Sequence, residues 1–171
     1  TMPDVDFEFC PVDDVRRIKS DEELSLLKRA CEISDEGFKN TIPYIRAGVT
    51  ERYLQAVLEC EMLKAGSEGK SFDTIVASGE RGAYPHGTAT EKVIEDGDLI
   101  TFDFGAIYKG YHSDITRTVA VGDISSRQRF LYDKVLGCNE HVEGLLKAGI
   151  RADEADTAAR EYFKKWDLDA Y

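Results

Sequence analysis

The chain has 171 residues, with 22 Lys and Arg against 33 Asp and Glu and a formal net charge of −11. That length suits one domain or part of a larger one, and with 42% apolar and 10% aromatic residues the chain is not disordered. The acidic balance argues against a nucleic-acid backbone as partner, and no apolar run approaches the roughly 20 residues that cross a bilayer.

Residues 1–18 alternate acidic and apolar positions before Arg16-Arg17, a pattern open to a short strand, an extended linker or an acidic tail. Ser20 and Glu23 form a capping box for a long helix, with Asp21 and Glu22 at its positive end. Leu24, Leu27, Cys31, Ser34, Phe38, Ile42 and Ile45 follow as its mostly apolar stripe, which Pro43 kinks or ends early. Thr50 caps a second helix, with Glu51 in its first turn and Leu54, Val57, Leu58, Glu61 and Met62 along it, up to Gly66. The pattern then turns to strands: Phe72 to Ala77, Leu99 to Gly105, and about Tyr111 to Val121, with a turn at Tyr108 to Gly110. Helices resume near Ser125-Ser126, run to Gly149, and begin again at about Asp153. Ile45-Arg46-Ala47-Gly48-Val49 is echoed 101 residues on by Leu146-Lys147-Ala148-Gly149-Ile150, each between a long helix and a shorter one.

The four cysteines (Cys10, Cys31, Cys60, Cys138) form no close pair, which fits a reduced, cytoplasmic protein better than a disulfide scaffold or zinc ribbon. No phosphate-binding glycine loop and no nucleophile elbow is present. The hairpin carries the chemistry. With the turn centred between Tyr108 and Lys109, Asp103 opposes Asp114, Thr101 opposes Thr116 and Gly105 opposes His112, all on one face. Ile100, Phe102, Phe104, Ile115 and Val119 take the other face. Directly opposed side chains have Cβ atoms about 4.5–5.5 Å apart, and like charges placed there repel. Divalent cations with a taste for oxygen would offset that; otherwise both acids face solvent or pair with Arg117 or Lys109. His86, between Pro85 and Gly87, can donate to a substrate or a charged intermediate, or be a surface histidine. His112 shares the face of Asp114 and can support it, whereas His141 reads as solvated.

Four ordered stretches carry a family resemblance: Phe72 to Gly79, Pro85-His86-Gly87, Asp96 to Gly105, and Gly110 to Thr118. From about Ser20 to Tyr171 the chain resembles the Xaa-Pro peptidases of the pita-bread metallopeptidase family. Methionine aminopeptidases share that fold, but their Asn two residues before the first Asp is Thr101 here, and their Cys-His-Gly is Pro85-His86-Gly87. The resemblance implies an α/β (α+β) fold, the N-terminal half of a pita bread with helices packed on a curved, antiparallel-rich sheet. It makes 1–18 a linker from a missing N-terminal domain and 19–171 the first half of the catalytic domain.

The implied activity is metal-dependent hydrolysis of the bond between an N-terminal residue and proline. Two divalent ions (Mn, Co or Zn) would be held in part by Asp103 and Asp114, with His86 on the substrate side. The family's remaining ligands, one His and two Glu, have no counterpart after Asp114, so the implied fragment is inactive alone. It would associate with itself, or through the face meant for the missing half. The alternative from another class is a metal-free pita-bread binding module; creatinase-like chemistry also uses the fold without metal. Both Asp being present counts against each.

Overall fold

The computed structural model describes residues 13–168, so most of the acidic stretch at 1–18 lies outside the described residues. Within that stretch, Asp13–Arg17 is a short helix, α1. Helix α2 spans Asp21–Thr41 behind the capping box at Ser20. The Glu23 amide donates to Ser20 Oγ at 3.2 Å, and the Ser20 amide to Glu23 Oε2 at 2.7 Å. Pro43 ends it, as a 3-10 turn takes over at Ile42–Tyr44.

The buried face of α2 is Ala30, Ile33, Ser34, Gly37 and Thr41; Leu24 and Ile42 of the expected stripe are half exposed. The reason is close packing against helix α3, Glu51–Lys64. A Cβ on Gly37 would stand 2.6 Å from Met62 Cγ and 3.0 Å from its backbone. Small residues therefore mark the contact where a search for large apolar ones looks past it. Thr50 caps α3 as expected, accepting from the Tyr53 amide at 3.1 Å.

Strand β1 is Ile75–Ser78, shorter and later than the sequence suggests. It pairs antiparallel with β2, Leu99–Phe104, which pairs in turn with β5, Ile115–Ala120. Between β2 and β5 the chain adds a small ribbon, β3 (Ile107–Tyr108) and β4 (Tyr111–His112), so the long third strand is two strands with a break at Ser113-Asp114. The two-residue turn is Lys109-Gly110, with φ of 48° and 75°. Positive φ at both central positions is what a tight hairpin turn of matching twist needs.

One side of the sheet buries Ile100, Phe102 and Phe104 against α2 and α3. Phe38 stacks on Phe104 with centroids 5.3 Å apart and meets Phe102 edge-on at 5.4 Å. Ser34 ties α2 to the ribbon: its Oγ lies 2.8 Å from Ser113 Oγ, and both accept from the Ala106 amide.

Helix α4, Ser126–Glu143, and helix α5, Ala152–Lys164, pack on each other. Helix α4 stops at Glu143 with Gly144 as its cap, earlier than Gly149. The internal echo is visible in the backbone. Gly48 (φ 89°) and Gly149 (φ 90°) adopt the same left-handed turn. Each stands three residues before a helix that opens at position 51 or 152.

Candidate active site

The pairing register decides the site. Asp103 lies opposite Thr116 and Ile107 opposite His112. The expected pairing of Asp103 with Asp114 is therefore wrong by two residues, as are those of Thr101 with Thr116 and Gly105 with His112. Thr101 pairs with Thr118 instead. The cause is the turn, which centres between Lys109 and Gly110, one residue further along than expected, and a one-residue move of the centre changes every partner by two. A shift of two preserves the face, so Asp114 still stands beside Asp103, as its diagonal neighbour rather than its direct partner. Diagonal positions on paired strands are about 7–8 Å apart, and the two carboxyl groups still lie close enough for Asp114 to act on Asp103 by charge and by a side-chain hydrogen bond.

Gly105 makes the approach possible, since a Cβ there would fall 2.0 Å from the Ser113 carbonyl oxygen and 2.8 Å from Ser71 Cβ. On the far side of the sheet Thr88 bridges to Ile75, and Ile75 pairs with Asp103. Thr88, Ile75, Asp103 and Thr116 thus form a row across one face, and His86 stands two residues from its end. Asp103, Asp114 and His86 line a single cleft of about 440 Å³ together with Phe72, Asp73, Ile75 and Thr88. The structure therefore brings the three expected site residues together.

Burial raises the Asp103 carboxyl above the usual carboxylate range, and the charge of Asp114 adds to it; Thr116 and His86 pull the other way. Asp103 Oδ1 is one of two buried side-chain oxygens among the described residues without a hydrogen-bond partner. The cations that could have neutralised the pair are engaged elsewhere: Arg117 reaches Asp35 at 3.6 Å, and the Lys109 ammonium lies over the Tyr108 ring at 5.8 Å. An acid pair that neither Arg117 nor Lys109 neutralises, with one oxygen buried and unpartnered, is chemically suited to a divalent metal. It is only part of a ligand set, because no group of three or more metal-ligating side chains exists among the described residues.

His112 does not line the cleft; its Nδ1 lies 2.9 Å from Ser71 Oγ on the ribbon. His141 is exposed, its ring 5.6 Å from that of Tyr162. Sequence reasoning missed Glu51. Its spacing with Leu54, Leu58 and Met62, all buried on α3, was the available signal.

Residues 25–171 match the model of metallopeptidase family M24, and the chain belongs to that family. A curated relative, the Xaa-Pro dipeptidase of Pyrococcus furiosus, is 43% identical over an alignment of 168 residues that covers 96% of this chain and 48% of that protein. Among solved structures, the Xaa-Pro dipeptidase from Bacillus anthracis superposes with a TM-score of 0.91 at 46% identity, covering 94% of this chain and 45% of that one. The X-Pro aminopeptidase from Thermotoga maritima does so with a TM-score of 0.91 at 42% identity, covering 94% and 46%. The fold is the mixed α/β pita-bread fold of these neighbours. The chain spans about half the length of the relatives it matches.

Proposed function

We propose that the complete protein is an Xaa-Pro peptidase, cleaving the peptide bond between an N-terminal residue and proline. The observation that carries this reading is the buried, unpartnered Asp103 oxygen beside Asp114 in the cleft that also holds His86. Asp103 and Asp114 would hold divalent metal, of which manganese, cobalt and zinc are the candidates. Such ions, when bound, supply Lewis acidity toward a carbonyl and lower the pKa of water.

The chain's own residues do the rest. The apolar walls of Phe72 and Ile75 favour an apolar portion of substrate. His86, held in a loop, donates a hydrogen bond to the oxygen on which negative charge gathers. Two carboxylates fall short of the three protein ligands usual for a catalytic ion, so these 171 residues are expected to be inactive alone. A reduced, cytoplasmic setting agrees with Cys31, Cys60 and Cys138 all being free thiols.

The test is hydrolysis of an Xaa-Pro dipeptide with added Mn²⁺ by the complete gene product and by the 171-residue chain. Turnover by the former, lost in Asp103→Asn, is the expected result. Absence of metal-dependent turnover in the complete protein overturns the activity. Turnover by the 171-residue chain overturns the inactivity of the fragment.

A further inference from the structure

Between Ser78 and Thr90 the chain leaves the sheet and returns, carrying His86 in the excursion. Both ends of this loop are fastened by one carboxylate. Glu51, fully buried, accepts from the Ser78 amide at 2.8 Å and its hydroxyl at 2.9 Å. It also accepts from the Thr90 amide at 3.0 Å and its hydroxyl at 2.8 Å. Arg81 joins from inside the loop, with Nε 3.1 Å from Glu51 Oε2, and its Nη2 donates across the loop to the Thr88 carbonyl at 2.6 Å. Burial pushes the Glu51 carboxyl up, but the donors from Ser78 and Thr90 outweigh it and leave it lowered, so Glu51 is a charged anchor.

The loop between these fastenings is tight. The Tyr84 amide donates to the Arg81 carbonyl, the Gly87 amide to the Tyr84 carbonyl and the Thr88 amide to the His86 carbonyl. A Cβ on Gly87 would lie 3.2 Å from Ala77 Cβ and 3.3 Å from two carbonyl oxygens. His86 therefore has little freedom of its own, and its place in the cleft follows from where Arg81 and Thr88 are held.

We propose that Glu51 and Arg81 are a positioning pair that sets where His86 stands in the cleft. Neither touches the cleft-lining acids; they act through the loop. The inference rests on the peptidase reading for its kinetic readout only. Its geometric readout is independent of any activity.

The experiment uses the complete gene product with Arg81→Gln, His86→Ala and the double variant. Arg81 is partly exposed, and circular dichroism reports whether each variant folds. Where Arg81→Gln does not fold, Arg81→Lys, which keeps the charge but loses the planar fork that spans Glu51 and Thr88, takes its place.

At saturating Mn²⁺, Arg81→Gln is expected to lower kcat on an Xaa-Pro dipeptide on the order of tenfold, with KM within about threefold. In the His86→Ala background the same substitution should cost less than about twofold, because the two act as a unit. Equal losses in both backgrounds overturn the pairing with His86. In parallel, the His86 imidazole ¹³C–¹H signal, identified by its absence in His86→Ala, should shift or broaden in Arg81→Gln, while those of His112 and His141 stay. An unmoved His86 signal overturns the proposal. If the wild-type protein cleaves no Xaa-Pro peptide, the peptidase reading falls and the imidazole signal alone decides the positioning claim.

Discussion

Burial of the Asp103 carboxyl and the nearby charge of Asp114 both disfavour its ionised form, so its folded pKa stands above its ordinary value. The fold then binds that proton more tightly than the unfolded chain does. Stability falls as pH rises through the interval between the two values, and the penalty is complete once the pH exceeds the folded value. A bound cation reverses the sign. In metal-free protein at neutral pH, Asp103→Asn is accordingly expected to raise the melting temperature, whereas added Mn²⁺ should raise that of the wild type alone. Calorimetry with and without metal checks both. A less stable metal-free variant would show that Asp103 carries no unrelieved charge cost. The same residue is thus a liability to the fold and an asset to the site, a trade expected where function needs a buried charge.

Helices α2 and α3 meet where Gly37 faces Met62, and this contact seats Phe38 on the sheet beneath the site. Gly37→Ala puts a methyl group 2.6 Å from Met62 Cγ and 3.0 Å from backbone atoms that cannot swing away. Overpacking of this kind is expected to cost about 1–3 kcal/mol, outweighing the roughly 1 kcal/mol that alanine gains over glycine in a helix. Urea denaturation measures the balance, and a stabilised variant would mean that α2 can move off α3 freely.

The elements themselves were largely legible. Ser20, Thr50 and Ser125 each cap a helix because a short hydroxyl before an amphipathic run has few other local uses. The alternation from Leu99 to Phe104 assigned the two faces of β2 correctly. The register was legible only to its parity. Alternation reports which face a residue takes, while the turn chooses the partner, and Lys109 in a left-handed conformation is a choice that lysine does not advertise.

At the scale of the molecule, α4 and α5 form a pair joined to the sheet side by the Gln128 side-chain amide, which donates to the Gly97 carbonyl at 2.8 Å. Val135 on α4 is 59% exposed and Leu146, in the connection between α4 and α5, 57%, and exposed apolar side chains favour association. The 171-residue chain is expected to sediment with a concentration-dependent mass, and Val135→Glu with Leu146→Glu to make it monomeric. A monomer at all concentrations would remove this expectation. The turn glycines Gly48 and Gly149 give α3 and α5 equivalent entries 101 residues apart, so the echo seen in five residues extends to the helix that follows each.

Order along the chain was enough to determine where the long helices start, roughly where the strands lie, the acid-bearing face of β2 and the family resemblance, because caps, periodicity and short motifs are local. The meeting of His86 with Asp103 and Asp114, the diagonal spacing of the two acids and the clamp of Glu51 on both ends of the His86 loop were decided by tertiary structure. Each depends on which strand or loop lies beside which, and that follows from turn geometry and close packing between residues far apart in sequence.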